Sequence, residues 1–390
     1  MFDRLSKPGG DPGDSPAARP WLGDLSGAFA DLGTFLPLVI GLLVLGRFDP
    51  TGLLIGFGLF AVATGLIYRL PVPVQPMKLV AALAIAGGLS APAMMASGIL
   101  LGVALLILGV SGAIERMHRL IPRTVLAGLQ IALGLHLLTA SARLASAFWG
   151  LGMVAAALLF LLLATPLRSI SCILLVLAGM AWTLATGAAT LPAIDPAWHL
   201  PTIGLPGWDA FHEAAVTVFW PQLALTVTNA VLLTSVLAAD YFPNARPGAD
   251  AKRLALSSGM LNLTLAPFGA MPMCHGSGGL VAQYHQGARS GLAPVIFGAV
   301  CLALGVLAGP IAVDLLLLVP LPVVAVLLGY AGIHLLASRQ VMQATWTCRA
   351  VIALTALVSF GVNLAAGLAA GILLELARSL VSRQRQTMVR

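Results

Sequence analysis

Two short stretches of this chain carry residues that can do chemistry in otherwise apolar surroundings. One is "PVPVQPMK", Pro71 to Lys78; the other is "PFGAMPMCHGSGG", Pro267 to Gly279. Proline removes a backbone donor and blocks a helix. Pro71, Pro73 and Pro76 therefore hold the chain extended until about Met77, where a half-helix starts with Lys78 in its first turn. Pro267 and Pro272 do the same ahead of Gly276, Ser277, Gly278 and Gly279. A helix start presents unpaired N–H groups and the positive end of a dipole. The three glycines leave backbone amides bare for close approach of a ligand, and Ser277 can cap or donate. Two such starts facing each other, with Lys78 beside them, suit an anion.

Other polar residues gather around this pair. A lysine at mid-membrane costs about 2.5–3.5 kcal/mol on insertion scales, so Lys78 needs a partner. Two compatible readings fit it: a salt bridge to Asp31, or attraction of an anion with Asp31 as counter-ion when the site is empty. Asp24 and Asp31 are seven residues apart and share a helix face. Asp31 is the deeper of the two, and Asp24 fits the membrane surface. Gln222, Thr226 and Asn229 form a polar stripe at i, i+4 and i+7. That stripe serves either as glue between helices or as a substrate-facing row. His275 is a donor or proton carrier, or else a packed core histidine. Asp24, Asp31 and His275 are the candidate coupling residues. The four cysteines (Cys172, Cys274, Cys301 and Cys348) are scattered, with no metal-ligand spacing and no disulfide framework, so no metal or cofactor is expected.

The elements that position these residues must be membrane helices. Hydrophobic residues are 59% of the 390 and charged residues 9%, against roughly 25% charged in a soluble domain. The net charge of +7 fits Lys and Arg in cytoplasmic loops rather than nucleic-acid binding. Prolines, glycine pairs and charges cut the chain into about fourteen segments, each spanning helix needing about 20 residues. The first seven begin near Trp21, Thr51, Met77, Ala91, Arg123, Ser146 and Ser169. Seven more begin near Ala214, Lys252, Gly276, Gly291, Asp314, Arg349 and Asn363. The third and tenth are too short to cross. With the N-terminus inside, Arg47 and Arg143 fall outside and Lys78 within the membrane. All other Lys and Arg, including Arg116, Arg119, Arg123, Arg246, Lys252 and Arg253, fall at the inner face. Asp195, Asp209 and Glu213 fall in or beside an external loop free of Lys and Arg. The expected organisation is a disordered cytoplasmic tail over 1–20 with no cleavable signal, and a first repeat over 21–190. An external loop over 191–213, a second repeat over 214–380 and a cytoplasmic tail over 381–390 follow.

The halves echo each other. Pro71 and Pro267 are 196 residues apart, as are Pro76 and Pro272; Pro122 and Pro320 are 198 apart. Seven segments per half is odd, so the second half is inverted. Inverted repeats with short, Pro- and Gly-interrupted segments at matching positions point to the binding site of a secondary transporter.

At "PVPVQPMK", at "FGAMPMCHGSGGLVAQYHQGARSG" and at "GAFADLGTFLPL" the sequence resembles the molybdate transporter family, a branch of the sulfate permease superfamily. The resemblance runs from Trp21 to about Leu380. It implies an all-α, polytopic membrane fold of seven plus seven inverted segments. A core domain would take segments 1–4 and 8–11, and a gate domain segments 5–7 and 12–14. It implies molybdate uptake across a bacterial-type inner or plasma membrane by alternating access, with sulfate or tungstate as competitors. Gln75, Lys78, His275 and Gly276–Gly279 stand where that family's motifs meet the site, with Asp31 and Asn229 beside them. The fold also suggests a homodimer through the gate domain. The family usually has alanine where Ser277 stands and a basic residue where His285 stands. The short tail implies that the cytoplasmic regulatory domain of sulfate permeases is missing. Asn229 and Thr228 replace the acidic residue that nucleobase symporters of this fold place in the eighth helix. The alternatives are a sulfate or other anion carrier and an anion channel of the same fold. A membrane-embedded enzyme fits poorly, since no nucleophile–base pair accompanies His275 and Cys274.

Overall fold

In the computed structural model the described residues are 20–44, 48–114, 122–146, 148–165, 170–191, 200–201, 203–245, 248–336 and 346–388. Arg47, Arg116, Arg119, Asp195, Arg246 and residues 1–19 of the N-terminal tail lie outside them. The described chain is built of helices with two short strands. In the first half these are α1 (Pro20–Ala28), α2 (Leu32–Val44), α3 (Pro50–Tyr68), β1 (Val74–Pro76), α4 (Lys78–Ile85), α5 (Ala91–Ser111), α6 (Arg123–Ala145), α7 (Trp149–Leu163) and α8 (Ser171–Ala185). The second half opens with one long helix, α9 (Trp208–Tyr241), which widens to i→i+5 bonding over Ala215–Phe219 and Thr226–Leu233. Then come α10 (Ala251–Leu265), β2 (Met273–His275), α11 (Ser277–His285), α12 (Leu292–Leu317), α13 (Leu321–Leu336), α14 (Trp346–Gly361) and α15 (Leu364–Met388).

Local chemistry sets the boundaries. Asp49 caps α3 by accepting from Thr51 N at 3.2 Å and Gly52 N at 3.0 Å, with Pro50 in the first turn. Ser90 caps α5 and Asp250 caps α10 in the same way. Gly112 ends α5 with φ +66°, a left-handed conformation that glycine adopts without steric cost. Three boundaries differ from the sequence reading. The eighth segment starts at Trp208, not near Ala214, inside the expected external loop over 191–213. The twelfth segment starts at Leu321, not near Asp314, because α12 runs on to Leu317 and Pro320 breaks the helix. The last helix continues through Met388, past the expected end near residue 380.

Among the described residues, five stretches are long and apolar enough to cross a bilayer: α1–α2 together over Trp21–Val44, α3, α5, α6 and α9. Shorter apolar helices include α7, α8 and parts of α12, α13 and α14. Large apolar side chains such as Leu66, Val110, Phe160 and Leu357 stand exposed on the outer faces of these helices. A water-soluble protein would have to hide such a belt, whereas lipid favours it.

Helices of the two halves pack on each other through glycine. A Cβ at Gly298 of α12 would lie 2.7 Å from Gly58 O of α3. One at Gly102 of α5 would lie 2.9 Å from Gly259 O of α10, and one at Gly134 of α6 would lie 2.8 Å from Gly332 O of α13. Small residues are what allow membrane helices to approach this closely. Two packing groups result. In one, α3 lies on α12 and α5 on α10, with α1 against α12 and α9 against α5. In the other, α6 lies against α13, α14 and α15, and α7 against α13. The groups meet where α2 touches α8 and α13, where α4 touches α6, and where α9 touches α15.

Candidate functional site

β1 and β2 pair antiparallel in the middle of the first packing group, with Val74 opposite His275, Gln75 opposite Cys274 and Pro76 opposite Met273. Met77 N extends the ladder to Pro272 O at 2.9 Å. The proline-rich segments are thus extended, as the sequence reading has them, and their backbone groups satisfy each other across the two halves. That is how non-helical backbone survives at membrane depth. Asn262 of α10 completes the accounting: its side-chain amide donates to Met273 O at 2.6 Å and accepts from Met273 N at 2.8 Å. Each strand leads straight into a short helix, α4 of eight residues and α11 of nine.

Two cavities, each of about 360 Å³, meet at the starts of these helices. Gln75, Lys78 and Gly278 line both. The first cavity adds Asp31 and Thr34 at the break between α1 and α2, and Tyr330 and His334 from α13. The second adds Asn229 from the widened part of α9, Gln130 from α6, and Ser277. Widened turns of this kind are frequent at functional positions. Among the described residues Lys78 forms no hydrogen bond and no ion pair. The one ion pair there joins Glu375 and Arg378 of α15. A salt bridge between Lys78 and Asp31 is therefore not formed. The Asp31 carboxylate instead accepts from the Gln75 amide.

The remaining sequence-derived residues divide by position. Gly278 has open space around it, so a ligand can reach its backbone. Gly276 and Gly279 are small for a different reason than ligand access. A Cβ at Gly276 would overlap the Gln75 amide, and one at Gly279 would lie 2.7 Å from Asp31 Oδ2 and 2.9 Å from Pro73 Cγ. The His275 ring is fully buried. Its Nδ1 meets Pro73 O at 3.3 Å and its Nε2 meets Ser257 Oγ at 3.0 Å. A carbonyl only accepts, so Nδ1 donates and Nε2 accepts. Ser257 Oγ lies 2.6 Å from Tyr68 Oη, and Phe60 and Tyr68 stand edge-on to the imidazole. With both nitrogens engaged, the His275 side chain braces β2 against β1 and α10 at the wall of the second cavity.

Asp24 stands apart from both cavities. Its carboxylate accepts from Arg289 N at 2.8 Å, Ser290 N at 2.9 Å and Ser290 Oγ at 2.6 Å, tying α1 to the turn before α12. The polar stripe of α9 is split in role. Gln222 accepts from Leu79 N at 3.1 Å, capping α4, and donates to Thr226 Oγ1 at 2.9 Å, while Asn229 faces the second cavity. Sequence reasoning passed over Gln130, Tyr330 and His334, which lie in helices with no motif, and Asn262 and Ser257. For Asn262 a signal existed: an isolated amide in the apolar run "LNLTL".

The chain matches a family profile described as "Molybdate transporter of MFS superfamily" over residues 23–137 and 214–335. It is 32% identical to molybdate transporter 2 of Arabidopsis thaliana, across 92% of this chain and 87% of that protein. It is 28% identical to molybdate transporter 1 of Chlamydomonas reinhardtii, across 88% of this chain and 90% of that protein. Among solved structures, the transmembrane domain of the cyanobacterial bicarbonate transporter BicA superposes with a TM-score of 0.66 at 17% identity. That match covers 90% of this chain and 97% of the domain. Murine Slc26a9, an anion transporter in the inward-facing state, gives 0.67 at 15% identity, over 95% of this chain and 69% of that one. These likenesses concern the fold alone. Together with the apolar helices they make the protein an integral membrane protein. By the extent of the profile match and of the plant and algal similarity, this chain belongs to the molybdate transporter family.

Proposed function

We propose that the protein is a secondary active transporter that takes up molybdate, a tetrahedral oxyanion, by alternating access. It would be a transporter and not an enzyme, as its family relatives are. The observation that carries this reading is Lys78 at the start of α4, which among the described residues makes no hydrogen bond and no ion pair. It lines both cavities together with Gly278 at the start of α11. An oxyanion offers charge and acceptors to the Lys78 ammonium and the Gly278 backbone. In this reading Lys78, Ser277, Gly278 and Asn229 contact the substrate. Gln75, Gly276 and Gly279 shape the site, and His275 braces it. Asp31 is the carboxylate placed to carry a coupled proton.

The wider architecture belongs to the same proposal. Fourteen segments form a seven-plus-seven inverted repeat with both termini cytoplasmic, multi-pass in a bacterial-type inner or plasma membrane. The first packing group acts as the core that moves and the second as the gate. The positions of α4 and α11 and the reciprocal glycine contacts support it. So does a matched pair of carboxylate clamps. Asp24 of the first helix holds Ser290 ahead of α12. Glu213 of α9 holds Ser90 ahead of α5, accepting from its N at 2.8 Å and its Oγ at 2.6 Å. A homodimer through the gate is the assembly expected with this fold, and the mass of the solubilised particle checks it.

Uptake of molybdate into proteoliposomes tests the function, with sulfate and tungstate as competitors. Saturable uptake that tungstate inhibits and that Lys78→Ala loses, with the variant still folded in the membrane, is the expected result. Wild-type rates in Lys78→Ala would remove the site, and no uptake of any oxyanion by the wild type would remove the function.

A further inference from the structure

The two cavities differ in chemistry. A fully ionised oxyanion has acceptors only, so donors hold it and a carboxylate repels it. The first cavity contains the Asp31 carboxylate. Among the described residues, none with an acidic side chain lines the second. Its polar side chains are Gln75, Lys78, Gln130, Gln222, Thr226, Asn229, Cys274, His275 and Ser277. Several of these are already committed: Gln75 to Asp31, Gln222 to Leu79 N and to Thr226, and His275 to Pro73 and Ser257. The Lys78, Gln130, Asn229 and Ser277 side chains, among the described residues, make no hydrogen bond to protein. Lys78, Asn229 and Ser277 stand on α4, α9 and α11; α9 belongs to the first packing group, α4 touches its α5 and α9, and α11 touches its α1 and α9. Gln130 alone of the four comes from the second, on α6, which touches α4.

Resting on the transporter reading above, we infer that the oxyanion is held in the second cavity and that Gln130 is a specificity-determining donor supplied to it from the opposite packing group. Its amide N–H adds to the Lys78 ammonium, the Ser277 hydroxyl and the Asn229 amide, so the anion is gripped from both groups at once. Such a donor ties affinity to the relative position of the groups: the bond forms when α6 stands against α4 and is lost when they separate. That gives the ligand a differential affinity for two arrangements, which is the requirement for biasing one of them.

Equilibrium binding of molybdate to the purified full chain in detergent tests the inference with three substitutions at one position. Gln130→Leu removes the donor and keeps the bulk, and is expected to weaken binding about tenfold to a hundredfold, the loss typical of one hydrogen bond to a charged partner. Gln130→Glu is expected to bind more weakly still, by adding repulsion. Gln130→Lys, which restores a donor and adds charge, is expected to bind at least as tightly as the wild type, while uptake slows because release slows. A packing role would instead make both charged variants worse than Leu. That ordering, or wild-type affinity in Leu and Glu alike, overturns the inference and leaves the transporter reading intact provided the wild type binds. Failure of the wild type to bind molybdate overturns both. Thermal melting of each variant shows that it is folded when measured.

Discussion

Glycine shows at the level of single residues how alike two positions look in sequence and how different they are in space. Gly278 and Gly279 are neighbours in "CHGSGG", yet only Gly278 opens on the cavities. A methyl group at Gly279 would press on Asp31 and Pro73, both fixed by their own partners. Gly279→Ala is therefore expected to lower stability by roughly 1–3 kcal/mol through overpacking. Gly278→Ala should melt like the wild type, and a large side chain there should block uptake without unfolding the protein. Paired melting and uptake assays check both, and equal melting of the two alanine variants would contradict the packing. The sequence exposed Lys78, Ser277 and Asn229 because polar groups are scarce in apolar helices and so stand out. It did not separate a ligand from a brace at His275, because that depends on Ser257 and Tyr68, distant in the chain, closing around the ring.

Among the elements, the two short helices were the most legible part of the fold. Closely spaced prolines stop a helix whatever surrounds them, so the extended segments and the restarts at α4 and α11 follow from local chemistry. The pairing of β1 with β2 does not, since three-residue strands carry no alternation pattern to read. Gln222 also gained its role only through packing. Read along α9 it is one member of a stripe; in the structure it caps α4 from a different half of the chain. Removing that cap in Gln222→Leu leaves the buried Leu79 N–H without an acceptor, at a cost of about 1–3 kcal/mol. Gln222→Glu keeps an acceptor and should recover most of the loss. A drop in melting temperature for Leu that Glu reverses is the expected pattern. Equal loss in both would show that the amide acts otherwise.

For the whole molecule, the Asp24–Ser290 and Glu213–Ser90 clamps tie α1 to the turn ahead of α12 and α9 to the residue ahead of α5. Neither carboxylate lines either of the two cavities at the starts of α4 and α11. Asp24→Ala and Glu213→Ala should each cost about 1–3 kcal/mol, since each strands donors that it now satisfies. The clamps share no partner, so the double variant should lose the sum. Molybdate binding by the folded fraction should be unchanged, and loss of coupling in Asp24→Ala alone would return that residue to the transport path. The clamps are invisible in the sequence because Asp24 and Ser290 are far apart in it. In the proposed transporter one oxyanion sits between the starts of α4 and α11, and locating a bound heavy oxyanion decides whether it does. Tungstate scatters strongly enough to be placed in a structure of the protein determined with it. Density within hydrogen-bonding reach of Lys78, Ser277 and the Gly278 backbone is the expected result. Well-occupied density elsewhere, with that chamber empty, would contradict the site.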